Sequence, residues 1–148
     1  KKIISSTFIR KLLQSGKLDK TNKFLGRPWS IEGKVKKGRQ LGKEIGFPTA
    51  NIDIKDYVMA RPGVYAVKVK KQNSSKFIKG IANMGYRPTF NQKKFLLEVH
   101  LFNFSENLYN KCLIVKFIKF IRKEKKFKNV EQLRKQIKID LLIAKKAK

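Results

Sequence analysis

The stretch GKEIGFPTANI, residues 42–52, sets two glycines and a Phe-Pro corner ahead of a Thr-Ala-Asn triplet. Proline fixes its own φ and keeps the residue before it out of the helical region, so the chain leaves this corner as stiff strand. On that strand Thr49 and Asn51 face the same way, because side chains alternate with period two. A hydroxyl and an amide therefore converge on one spot. Two readings of them stay open. Short polar residues after a proline can bond their own backbone, or the two oxygens can serve as hard ligands to Mg²⁺ carried in with nucleotide phosphates.

Working outward, five more apolar or alternating runs, 31–35, 63–69, 77–84, 95–104 and 113–121, stand between Gly, Pro and Asn residues. With 49–54 they make six strands at the spacing of a small all-β barrel or sandwich, joined between 72 and 76 by a polar hairpin tip. Helical periodicity is confined to the two ends. SSTFIRKLLQSG (5–16) offers Ser5, Ser6 or Thr7 as cap, gathers Phe8, Ile9, Leu12 and Leu13 on one side and stops at Gly16. A shorter helix runs from Asp19 to Gly26. Asn129, with Gln132 three residues on, caps a last helix whose stripe through Val130, Leu133, Ile137, Leu141 and Ala144 is expected to close one side of the barrel.

At 148 residues the chain is expected to form one core without staples, and its single cysteine, Cys112, excludes an internal disulfide. No apolar run is long enough for a membrane helix, and the opening is too polar for a signal segment, so a soluble, cytoplasmic protein is expected. Lys at position 1 points to a piece of something longer. The net charge of +27 raises nucleic acid as a partner, but Lys and Arg number 13, 10 and 14 in residues 1–50, 51–100 and 101–148. No arm concentrates the field, and only seven of these 37 are Arg, the residue suited to bidentate phosphate contacts. The charge is read as solvated surface that helps attract polyphosphates.

Gly33, Gly38, Gly42 and Gly46 lie beside Lys36, Lys37, Arg39 and Lys43, as a phosphate cradle would require. No Gly-Lys-Ser/Thr follows, so this is no Walker loop, and spacing alone favours turns. Glu98 stands in FLLEVHLFNF (95–104), a strand expected to be buried on both faces, where a lone carboxylate needs either an ion-pair partner or a role as base. His100 shares its face and is expected to be hydrogen-bonded. Cys112 is expected to be structural. Asn83, Arg87 and Thr89 lie on a second turn ahead of a proline-containing segment, between Tyr86 and Phe90, an edge for a flat heterocycle or an ordinary hairpin. Arg122 and Glu124 are expected to pair with each other.

Five segments in order, GRQLGKEIGFPTANI (38–52), RPGVYAVKV (61–69), GIANMGYRPTF (80–90), the run LLEVHLFNFSENLYNKCLIVKFIKFIRKEKKF (96–127) and EQLRKQIKIDLLIA (131–144), resemble the riboflavin kinase domain of bacterial bifunctional FAD synthetases. ISSTFIRKLLQSGKL (4–18) is similar to the end of the adenylyltransferase domain that precedes it. The resemblance implies a mainly β fold, a six-stranded antiparallel Greek-key barrel with a C-terminal helix and short N-terminal helices. It divides the chain into an adenylyltransferase tail, 1–24, expected to fray, and a kinase domain, 25–148. The implied reaction is ATP-dependent phosphorylation of the riboflavin ribityl 5′-hydroxyl, without FAD formation. Thr49 and Asn51 would hold Mg²⁺, with Zn²⁺ left open, and Glu98 would act as general base. Gly38, Gly42, Lys43 and Pro48, with Thr49 and Asn51, would cover the phosphates. Asn83, Arg87, Thr89, Arg122 and Asp140 would lie toward the flavin. The family's usual Gly and Asp are replaced by Asn110 and Asn103. Two rival readings are a basic barrel that binds nucleic acid and a catalytically silent flavin-binding fragment.

Overall fold

The computed structural model describes residues 6–37, 46–54, 60–88, 93–104 and 106–147. Two helices, α1 (Ser6–Gln14) and α2 (Leu18–Leu25), lead into β1 (Trp29–Lys36), β2 (Ala50–Ile52), β3 (Gly63–Lys71), β4 (Ile78–Pro88), β5 (Lys93–Leu101) and β6 (Cys112–Arg122), followed by α3 (Val130–Lys146). The strands close in the order β1-β2-β5-β4-β3-β6, with every pairing antiparallel. Three consecutive strands, β3, β4 and β5, form a meander, and β6 returns beside the first of them, which is the Greek-key arrangement.

The barrel follows from alternation. Ile31, Val35, Ile52, Val67, Val69, Met84, Leu97, Val99, Leu113, Val115 and Phe117 belong to one buried cluster. The residues between them face outward. Tyr65 anchors one end of this interior against Phe117 and Phe120 at centroid distances of 5.2 and 5.1 Å, and its hydroxyl donates to the Arg61 carbonyl at 2.5 Å. Gly33, read from spacing as a turn or cradle residue, instead lies inside β1, where an added Cβ would stand 2.4 Å from the Asp53 carbonyl oxygen. The glycine is there because β1 and the end of β2 press together.

The N-terminal helices belong to this core rather than standing apart from it. Leu13 and Leu18 are 2 % and 3 % exposed within the same cluster. The Arg61 amide donates to the Leu13 carbonyl at 2.9 Å. The Asn22 side chain bridges α2 to two strands, donating to the Phe117 carbonyl at 2.9 Å and accepting from the Trp29 amide at 2.8 Å.

The last helix starts as its sequence predicts, with the Asn129 side chain accepting from the Gln132 amide at 2.9 Å. It does not close the barrel, which the strands close themselves. It covers the outer wall, where Ile137, Leu141 and Ala144 pack against Val64, Ala66 and Ile81 of β3 and β4. Val130 falls outside that contact at 48 % exposure. Arg122, at the end of β6, turns to this helix rather than to Glu124. Its Nε and Nη2 donate to the Asp140 carboxylate at 2.9 to 3.1 Å, and Gln136 adds a third donor at 3.1 Å. Asn110 and Asn103 have φ of +67° and +47°. Both stand in left-handed backbone, which Asn tolerates; nothing in the structure explains the change of Asp to Asn at 103.

Two consequences are measurable. Asp140 is fully buried, so Asp140→Ala leaves the Arg122 charge without its carboxylate partner and should destabilise the fold by about 3 kcal/mol. Thermal unfolding should report this as a fall of about 10 °C in midpoint. Burial pushes the Tyr65 phenol up from 10.0 to about 12, with the Arg61 charge offsetting part of the rise. A folded value above the unfolded one means that this contribution to stability is intact below pH 10 and is lost as pH climbs through 12. Urea unfolding across that interval should show a steeper loss in the wild type than in Tyr65→Phe.

Candidate active site

The residues singled out around the Phe-Pro corner and the central strand meet in one row on the outer wall. Asn51 of β2 is the direct cross-strand partner of Glu98 in β5. Glu98 is in turn the partner of Asn83 in β4. The inward neighbours of each, Ile52, Leu97 and Met84, are 2 %, 0 % and 0 % exposed, so alternation turns all three polar side chains outward. Directly opposed residues on one face have Cβ atoms roughly 5 Å apart. An amide, a carboxylate and a second amide thus form a continuous polar strip. Lys36 of β1, the partner of Asn51, extends the strip on one side; on the other the polar strip ends at Asn83, and the row passes through the buried Val64 of β3 to Arg122 of β6.

Glu98 is half-buried, as are Leu96 and His100 on its face. The expectation of a strand buried on both sides is therefore corrected: the inner face is dry and the outer face is partly open. A carboxylate here keeps contact with water and with polar neighbours, so it needs no compensating buried cation. The Asn83 Oδ1 atom is different. It is buried and accepts no hydrogen bond. An unpaired buried acceptor costs roughly 1–3 kcal/mol, and the strip therefore contains one position that a ligand's donor would stabilise.

Beside the strip, the Phe-Pro corner is tied down by the single histidine of the chain. His100 donates its Nδ1–H to the Pro48 carbonyl at 2.8 Å, and its ring meets Phe47 edge-on at 5.6 Å. Thr49 follows, one residue before β2, half-buried. Arg122 and Asp140 are committed to each other, and Arg122 lies three strand spacings from Glu98, roughly 14 Å along the wall. Gly38, Gly42, Lys43 and Thr89 lie outside the described residues, and of Arg87 only the backbone, opposite Lys94, is described. Cys112 opens β6 as a free thiol. What the sequence did not disclose is the bond from His100 to Pro48, made across 52 residues. Nor did it show the place of Lys36, which had been grouped with the lysines of the following loop.

Comparison with known proteins gives the family. The family model described as Flavokinase: Riboflavin kinase matches residues 25–148. The chain is 47 % identical over 142 residues to a bifunctional riboflavin kinase/FMN adenylyltransferase of Haemophilus influenzae, covering 96 % of the chain and 46 % of that protein. It is 39 % identical over 143 residues to the protein of the same name in Bacillus subtilis, covering 94 % and 45 %. The chain thus spans about half the length of the curated relatives it matches. A solved structure named as a macrolide-efflux protein from Streptococcus pneumoniae superposes with a TM-score of 0.89 at 34 % identity, over 98 % of this chain and 47 % of that one. Efflux is said of that protein alone. Among the described residues no helix of this chain is long and apolar enough to cross a membrane. The strip on the barrel wall, reached first through alternation and register, lies within the stretch that the family model covers: the chain belongs to the riboflavin kinase family.

Proposed function

We propose that this chain transfers the γ-phosphoryl group of ATP to the ribityl 5′-hydroxyl of riboflavin, giving FMN and ADP. The observation that carries the reading is the cross-strand row Asn51, Glu98, Asn83. Phosphoryl transfer asks a protein mainly for positioning and charge neutralisation, plus one group to take the proton from the attacking hydroxyl. Glu98 takes that proton as the new oxygen–phosphorus bond forms and the bond to the bridging oxygen of ADP breaks. Lys36, at the end of the row, adds positive charge next to Asn51. Asn83 flanks Glu98 on its other side, in the next strand.

A divalent cation fits the donors present. Thr49 and Asn51 offer a hydroxyl and an amide oxygen, hard donors that suit Mg²⁺ better than Zn²⁺. Among the described residues no cluster of three His, Cys, Asp or Glu side chains forms a cage, which agrees with an ion held by one or two protein oxygens and by substrate phosphates. Such an ion, when bound, supplies charge neutralisation on the phosphates. The single free cysteine suits a reducing compartment, so the reading places the reaction in the cytoplasm. In the longer protein that the relatives' names suggest, residues 1–24 would be the tail of an adenylyltransferase domain.

Incubating the chain with riboflavin, Mg²⁺ and ATP, and following FMN by chromatography, tests the reading directly; no FMN above a protein-free control overturns it. Glu98→Gln keeps the shape but not the basicity and should lower kcat by ~10²-fold or more, with the KM for ATP nearly unchanged. Turnover equal to wild type would remove Glu98 from the mechanism. Asn51→Ala should raise the Mg²⁺ concentration needed for half-maximal rate, and a superimposable Mg²⁺ titration would count against the clamp.

A further inference from the structure

His100 is the only histidine in the chain, and its place is unusual for a residue on a strand. Its backbone pairs with Ile81 of β4, which packs under α3 with Val64 and Ala66. Its side chain leaves in the direction of Glu98, two residues earlier, and reaches the opposite neighbour of β5. There the ladder between β2 and β5 comprises only Ala50 with Val99, Asn51 with Glu98 and Ile52 with Leu97. Pro48, two residues before that ladder, has no amide hydrogen to extend it. Its carbonyl receives the imidazole Nδ1–H instead, at 2.8 Å. The Phe47 ring stands edge-on to the imidazole at 83°, a second contact that restricts the ring. A carbonyl oxygen cannot donate, so the geometry places a hydrogen on Nδ1.

We propose that His100 is a positioning residue for the nucleotide half of the site: its Nδ1–H fixes the Pro48 carbonyl and so sets the angle at which Thr49 and Asn51 enter the row beside Glu98. The inference rests on the proposed kinase reading for the identity of the ligand, but it concerns this chain's own corner. Three ladder pairs hold register along β2 but constrain poorly the residue that precedes them, because the first pair of a short strand has ladder neighbours on one side only. Thr49 is that residue. With the imidazole in place it is bounded by Ala50 on one side and a clamped proline on the other. Without it, the corner turns about Thr49, and the hydroxyl and the Asn51 amide no longer present a fixed spacing to a phosphate-bound cation.

The test compares His100→Phe, which keeps a ring for Phe47 but loses the donor, with His100→Gln, which keeps an N–H donor. His100→Leu serves as a second donorless variant should His100→Phe not fold. Calorimetric titration with Mg·ADP reads the corner without turnover, and initial rates of FMN formation read it with turnover. The donorless variant should bind Mg·ADP about 2- to 10-fold more weakly, the range of one neutral hydrogen bond. Its KM for Mg·ATP should rise by a similar factor, with the KM for riboflavin unchanged and His100→Gln recovering part of the loss. Affinity within the titration error of wild type overturns the proposal, as does an equal loss in His100→Gln and His100→Phe, which marks a merely structural ring. A wild type that binds Mg·ADP but makes no FMN overturns the kinase reading while leaving the comparison of variants intact. A wild type that binds no Mg·ADP overturns both.

Discussion

The three-residue pairing of β2 with β5 is the constraint on which the site depends. Side chains alternate across a strand, so a slip of one residue would send Asn51 into the barrel and Ile52 out of it. Ile52, 2 % exposed among Leu97, Val35 and the rest of the core, forbids that slip. The β1 side enforces the same register from behind: the Asp53 amide donates to the Lys34 carbonyl at 3.1 Å, and Gly33 makes room for the Asp53 carbonyl. The polar strip is thus placed by hydrophobic burial on the other face of the same strands. The backbone positions of Asn51, Glu98 and Asn83 are thereby as well fixed as the packing within the barrel.

Much of this was legible because the strands alternate cleanly. The inward positions of β6, Leu113, Val115 and Phe117, are visible as every second residue, and the Asn129 cap with Gln132 is a local signal that needs no tertiary information. The setting of Glu98 was misjudged for a definable reason. Phe102 and Phe104 were counted on its strand, but β5 ends at Leu101 and the chain turns at Asn103 in left-handed backbone. Gly33 was misjudged because a glycine needed for close approach of two strands carries the same letter as one needed for a turn. The helices α1 and α2 were legible as helices, but the burial of Leu13 and Leu18 in the barrel core was not, since periodicity shows that a face is apolar without showing what covers it.

The family resemblance and the register supply different kinds of information. Likeness of segments names a reaction and points to Glu98, Thr49 and Asn51. Register explains why Asn51 and Glu98, 47 positions apart, stand side by side, and it brings Lys36 next to Asn51. The high positive charge contributes little to either. Several lysines rest on aromatic rings, as Lys116 does over Phe77 at 4.4 Å, so part of this charge lies over apolar surface that would otherwise face water.

The joining of α2 to the barrel has a mechanical side. Asn22 grips two strands at once, through the Phe117 carbonyl and the Trp29 amide, while Leu13 and Leu18 are sunk among the same interior residues. Force or torque applied at the N-terminal end of α1 is therefore passed into β1 and β6 by a stiff lever, not absorbed by a slack tether.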